Sequence, residues 1–156
     1  STPIKSSAAS DVYKRQVKYN VVMKDERESG LREILNLGHT VGRAIETVSD
    51  YKLLHGEALS IGMVAQVKLG NELRFISEEN MNRVIDLYKR ANLPITIPDY
   101  IDKNVLVKKL YTDKKVRDGK LRFVFQKEIG DVMCFGDNAY GLEIAENQIA
   151  KIIENM

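Results

Sequence analysis

The chain holds two histidines, His39 and His55, and the chemistry it can perform is read outward from them. Imidazole is the commonest metal ligand among side chains and titrates near neutrality. Both histidines sit at the facing ends of two apolar-rich, helix-like stretches, and two imidazoles on adjacent elements suit a divalent cation. Two ligands fall short of a catalytic zinc site, which usually has three protein ligands and one open position; the spacing alone therefore leaves the metal open. At 100° per residue, Arg32, Asn36, His39, Arg43 and Glu46 fall within an arc of about 80° on a helix. That arc reads either as a solvated face or as a binding face. A wet face usually carries Lys and Glu, whereas this one offers an amide, an imidazole and two guanidiniums, rich in hydrogen-bond donors. Gly38 and Gly42 cost such a helix about 1 kcal/mol each relative to Ala, a cost that makes sense where a backbone or ligand approaches closely. Gly56 and Gly62 repeat the pattern on the next stretch. The single cysteine, Cys134, has no His or Asn beside it to suggest a nucleophile and reads as a small buried hydrophobe in a strand.

Those residues require elements to position them. Leu31, Ile34, Val41, Ala44, Ile45 and Val48 recur at helical spacing, which predicts a helix over 31–48. Residues 57–75 predict a second helix, apolar nearly all round and hence central to a bundle. Ser77 N-caps a third, with Met81, Val84, Ile85 and Tyr88 as its stripe, ended by Asn92 and Pro94. Asp102 caps a short helix through Val105, Leu106 and Leu110, and 113–119 is a charged loop. Alternation in 121–125 and a second run at 132–135 predict a β-hairpin. Leu142, Ala145, Ile149, Ile152 and Ile153 mark a closing helix. Before these, 17–23 reads as strand or buried helix, and 1–16, with no usable period, as a tail. The expected fold class is mainly α with a small β-hairpin.

Composition excludes several classes. At 156 residues, 44% hydrophobic and 29% charged, the chain is an ordinary one-domain globular sequence. Its formal charge of +2 is too small to predict a nucleic-acid or anionic-membrane partner. The longest apolar stretch, 58–70, is interrupted by Gln66 and Lys68 and falls short of the roughly 20 residues a membrane helix needs. A lone cysteine fits a reducing cytoplasm. The start at Ser1 leads us to expect a fragment.

The run Leu35-Asn36-Leu37-Gly38-His39-Thr40-Val41-Gly42-Arg43-Ala44-Ile45-Glu46, followed by Leu54-His55-Gly56-Glu57-Ala58 and Ile61-Gly62-Met63, closely resembles the C-terminal domain of the 3-dehydroquinate synthase family. Upstream the resemblance extends through Val17-Lys18, Asp25-Glu26-Arg27-Glu28 and Gly30-Leu31-Arg32. Downstream it takes in Leu93-Pro94, Asp113-Lys114-Lys115-Val116, 119–124 and Ile129-Gly130. It covers about 140 residues, 17–156, in order. The family is a zinc- or cobalt-dependent, NAD-dependent lyase that converts a seven-carbon keto-sugar-acid phosphate into 3-dehydroquinate and phosphate. The resemblance implies that His39 and His55 are metal ligands, that Lys18, Arg32 and Asn36 contact the substrate, and that Lys114 or Lys115 lies near its phosphate. Guanidinium and ammonium groups suit a carboxylate and a phosphate. As alternatives, Lys114 and Lys115 read as solvated loop charges and Lys18 as a surface cap. The intact enzyme is expected to be a cytoplasmic homodimer.

Two departures stand out. The family pattern Gly-His-Thr-x-Gly-His ends here in Arg43, which keeps a cation for anion binding and removes a group that ionises near neutrality. The family's N-terminal dinucleotide-binding domain and its third metal ligand, a glutamate, are expected outside this sequence, which has no Gly-rich phosphate loop. Residues 1–16 do not resemble the family and read as translated adapter sequence. A related sugar-phosphate cyclase, a metal-dependent alcohol dehydrogenase and a non-catalytic helical module that kept the scaffold are the competing readings. The cation set favours a phosphate substrate over a simple alcohol.

Overall fold

The computed structural model describes residues 3–27, 29–112 and 121–156. Its helices are α1 (Pro3–Lys24), a 3-10 helix (Leu31–Asn36), α2 (His39–Val48), α3 (His55–Glu72), α4 (Glu78–Arg90), α5 (Lys103–Thr112) and α6 (Glu146–Glu154); its strands are β1 (Leu121–Val124), β2 (Gln126–Glu128), β3 (Asp131–Val132) and β4 (Gly141–Ile144). The mainly α class with small β pairs is as expected.

At the centre lies α3. Ala58, Ile61, Val64, Ala65 and Leu69 are buried, and α2, α4 and α6 pack around it. Val41, Ala44 and Ile45 of α2, Leu106 and Leu110 of α5, and Ile149, Ile152 and Ile153 of α6 join the same core. The contact between α2 and α3 is close because glycines face each other. A Cβ on Gly62 would overlap the Gly38 carbonyl and stand 2.9 Å from Cα of Gly42, while one on Gly42 would stand 3.1 Å from Cα of Leu59. These pairings run the two helices antiparallel. Gly56 breaks the expected pattern: open space surrounds it, at the exposed first turn of α3.

Caps fall where the sequence places them. Ser77 Oγ accepts from the Asn80 N–H at 3.2 Å, and Asp102 Oδ1 accepts from the amides of Asn104 and Val105 at 2.8 and 3.2 Å. Glu57 reaches back to the Leu54 amide at 2.8 Å and closes the start of α3.

Several expectations need correction. Residues 3–16 are not a structureless tail, because α1 runs through them and through 17–23. Its residues 11–20 are all exposed, so there is no apolar stripe for periodicity to detect. The predicted 31–48 helix is two pieces, interrupted at Leu37 and Gly38, where Gly38 takes φ 73°. Finally, the hairpin is rearranged. β1 pairs antiparallel with β4, Leu121 opposite Ile144 through Val124 opposite Gly141, although Leu142 was read as helical; a four-residue strand is too short for its period to compete with the helix after it. β2 and β3 pair across the Ile129–Gly130 turn, extended by the Met133 N–H to Phe125 carbonyl bond at 2.8 Å. Phe75 packs edge-on against Phe125 and Phe135, with centroids 5.2 and 5.4 Å away, and so ties this hairpin to the end of α3. Cys134 lies beyond β3 and is exposed, contrary to its expected burial. Among the described residues, no helix is long and apolar enough to cross a membrane.

Candidate metal centre

Each histidine is the first residue of its helix, His39 of α2 and His55 of α3. Because the helices run antiparallel, these are not facing ends, yet the two rings come to 5.9 Å between centroids with planes inclined by 58°. Two imidazoles on one tetrahedral ion, each nitrogen about 2.0–2.1 Å from it, hold their centroids roughly 5–6 Å apart. The ring separation therefore fits a shared cation.

Both rings also turn Nδ1 toward an acceptor. Nδ1 of His39 lies 3.0 Å from the Leu37 carbonyl, which can only accept, so Nδ1 carries the proton and Nε2 is the basic nitrogen. Nδ1 of His55 lies 3.1 Å from Oε2 of Glu46 and donates to that carboxylate in the same sense. An imidazole donating its second N–H to a carboxylate or a backbone carbonyl is the usual outer arrangement of a metal-binding histidine. Glu46 was read from the sequence as one member of a polar face; its role toward His55 follows only from the contact. Among the described residues, no third His, Cys, Asp or Glu completes a metal cluster with the pair.

The broken helix redistributes the other candidates. His39, Arg43 and Glu46 still share a face of α2, but Arg32 and Asn36 lie on the separate 3-10 helix, so the five residues form no single helical arc. Asp25 causes part of this. Its side chain is buried and accepts from the amides of Arg32 at 2.9 Å, Ser29 at 2.8 Å and Gly30 at 2.9 Å, and from the Ser29 hydroxyl at 3.0 Å. This capture starts the 3-10 turn, and the same donors, the Arg32 amide foremost, hold the carboxyl well below the usual carboxylate range against the opposing effect of burial. Arg32 gives one guanidinium N–H to the Glu26 carbonyl at 3.0 Å. Asn36 is half-buried at the end of the 3-10 helix. Glu33, between them, accepts from the Gly141 amide at 2.8 Å and pairs with Arg122 at 3.4 Å, fastening this segment to β4 and β1. Thr40, next to His39, donates to the Arg122 carbonyl at 3.1 Å.

Arg43 is exposed one turn beyond His39, and Lys18 is exposed on α1, which packs on the 3-10 helix. Lys114 and Lys115 lie outside the described residues. The structure thus brings together the two histidines, while Arg32 and Asn36 share only the 3-10 helix. Asp25 and Gln66, both absent from the candidate set, hold the turns on which these residues sit. The only sign of Gln66 in the sequence was a polar residue interrupting an apolar helix.

A sequence model of the family described as 3-dehydroquinate synthase C-terminal matches residues 5–116. The chain belongs to that family. It is 48% identical over 122 residues to a 3-dehydroquinate synthase of a Cyanothece species, covering 78% of this chain and 33% of that one. With the 3-dehydroquinate synthase of Thermodesulfovibrio yellowstonii it shares 46% over 139 residues, 88% of this chain and 37% of the relative. This C-terminal family member therefore spans about a third of the length of the curated relatives it matches. Among solved structures it is similar to 2-deoxy-scyllo-inosose synthase complexed with carbaglucose-6-phosphate, NAD+ and Co2+, with TM-score 0.79 at 22% identity over 90% of this chain and 38% of that one. It is likewise similar to 2-epi-5-epi-valiolone synthase from Streptomyces hygroscopicus with NAD+ and Zn2+ bound, with TM-score 0.74 at 24% identity over 96% and 40%. At such identities the likeness is one of fold. The family match begins at residue 5, so α1 lies almost wholly within the matched range.

Proposed function

We propose that this chain is the metal- and substrate-binding part of a 3-dehydroquinate synthase, the lyase that converts 3-deoxy-D-arabino-heptulosonate 7-phosphate into 3-dehydroquinate and phosphate. The observation that carries this reading is the His39–His55 pair, 5.9 Å apart with both Nδ1 protons committed to acceptors, in a member of this family. His39 and His55 would hold zinc or cobalt together with a ligand from outside the described residues. The metal would supply polarisation of the substrate's hydroxyls, and NAD would supply hydride acceptance and return. The chain's own part is to bind and orient. Arg32, Arg43 and Lys18, with Lys114 or Lys115, offset the charge of the substrate's carboxylate and phosphate, while Asn36 hydrogen-bonds a hydroxyl. The nicotinamide pocket is assigned to the part of the intact enzyme that this chain, about a third of its relatives' length, does not span, in a cytoplasmic homodimer.

Phosphate release by the enzyme containing this chain, supplied with substrate, NAD and Co2+, tests the reading. His39→Ala and His55→Ala should each lower kcat/KM on the order of a thousandfold, since metal polarisation contributes several kcal/mol. Turnover of a different sugar phosphate would point instead to a related cyclase. No turnover of any sugar phosphate would leave a non-catalytic helical module.

A further inference from the structure

Residues 36–39 make a turn with a choice built into it. Leu37 has φ −52° and ψ 126°, and Gly38 has φ 73° and ψ −14°, the dihedrals of a type II turn. A type I turn differs by rotation of the central peptide through roughly 180°, and glycine at the third position tolerates either form. Leu-Gly therefore does not choose between them locally.

Both polar atoms of that central peptide are engaged. The Gly38 N–H donates to Oε1 of Gln66 at 2.7 Å in the buried interior, and the Leu37 carbonyl accepts from Nδ1 of His39 at 3.0 Å. The peptide is planar and stiff, so a bond at its N–H dictates where its oxygen points. Gln66 is 2% exposed on the helix that His55 opens, where an apolar residue would avoid the cost of burying an amide.

We propose that Gln66 is a positioning residue for the metal centre: by capturing the Gly38 N–H it holds the Leu37–Gly38 peptide in the orientation that fixes the His39 ring and its tautomer. The inference rests on His39 being a metal ligand. In the rotated turn the Leu37 oxygen leaves the ring, and the acceptor that keeps the proton on Nδ1 is lost. The proton is then shared between Nδ1 and Nε2, and the Nε2 lone pair that would meet the cation is no longer secured. Donation to Gln66 also polarises the peptide and strengthens its oxygen as an acceptor.

The test uses Gln66→Met, which keeps the length of the side chain without the acceptor, and Gln66→Glu, which keeps an oxygen at the same reach. Both are made in the intact synthase and probed with Co2+ alone by calorimetry. The His39 ring nitrogens are followed by NMR above the ordinary imidazole pKa of about 6.5. Gln66→Met should lower Co2+ affinity about 10-fold or more, as removal of outer contacts does, and should mix the His39 tautomers; Gln66→Glu should recover most of both. Native Co2+ affinity and an unmixed Nδ1–H tautomer in Gln66→Met would overturn the proposal. His39→Ala with undiminished Co2+ binding would overturn the metal reading instead, leaving the tautomer to judge the peptide. Should Gln66→Met not fold, hydrogen exchange in the unaltered protein decides. A strongly protected Gly38 amide supports the clamp, and exchange at the rate of an open turn refutes it.

Discussion

Replacing Glu46 by alanine removes the carboxylate that accepts from Nδ1 of His55 at 3.1 Å. As an ion pair supporting the fold it counts for little: the His55 and Glu46 side chains are 57% and 22% exposed, and exposed pairs contribute about 0–1 kcal/mol. If His55 holds the metal as proposed, the same contact counts for more, because losing an outer partner of a metal-bound histidine costs about 10–100-fold in affinity, or about 1.4–2.7 kcal/mol. The two roles differ in where the loss shows. Glu46→Ala should move the metal-free thermal midpoint by less than about 4 °C while weakening Co2+ binding at least about 10-fold. Glu46→Gln, which keeps a neutral acceptor oxygen, should fall between Glu46→Ala and the unaltered protein. Calorimetric titration with Co2+ and metal-free thermal unfolding on the same samples separate the roles. Co2+ affinity within about twofold of native in Glu46→Ala would refute the reasoning, whatever happened to the midpoint.

The Asp25 carboxyl, held low chiefly by the Arg32 amide, contributes stability that is present above its unfolded pKa of about 3.9 and lost as pH falls through the folded value. The stability lead of the native chain over Asp25→Asn should therefore shrink as urea midpoints are taken below about pH 4, and a lead that does not change with pH would count against the network. Gly62→Ala should destabilise by about 1–3 kcal/mol, because its Cβ meets the backbone of α2. Gly56→Ala, with open space around it, should instead stabilise by about 0.4–1 kcal/mol; denaturant midpoints that move in the same direction for both would contradict the packing described. In the intact enzyme, Arg43→His should retain phosphate-substrate binding while Arg43→Glu raises KM, and equal kinetics for the two variants would mean that Arg43 only faces water.

Much of the scaffold was legible without coordinates, because burial on one helix face leaves a repeating apolar pattern within a few residues. This holds for α3, whose all-round apolar sequence matches its central place, and for α4 and α5, whose capping Ser77 and Asp102 announce their starts. The residue types of the candidate site were legible too, through the Gly-His-Thr and Leu-His-Gly runs. Where pattern misled, the deciding atoms lay elsewhere in the chain. The break before α2 depends on Gly38 taking φ 73° and on an acceptor 28 residues away in Gln66, so the apolar period continued across a helix that is not continuous. β1 finds its partner in β4 rather than in the run that follows it, a choice settled by packing over the core. That His39 and His55 face each other, with Nδ1 of His55 tied to Glu46 of the neighbouring helix, was likewise decided by tertiary structure. Periodicity records which face of an element is buried, whereas the Gly38–Gln66 and His55–Glu46 contacts each join partners brought close only when α2 packs on α3.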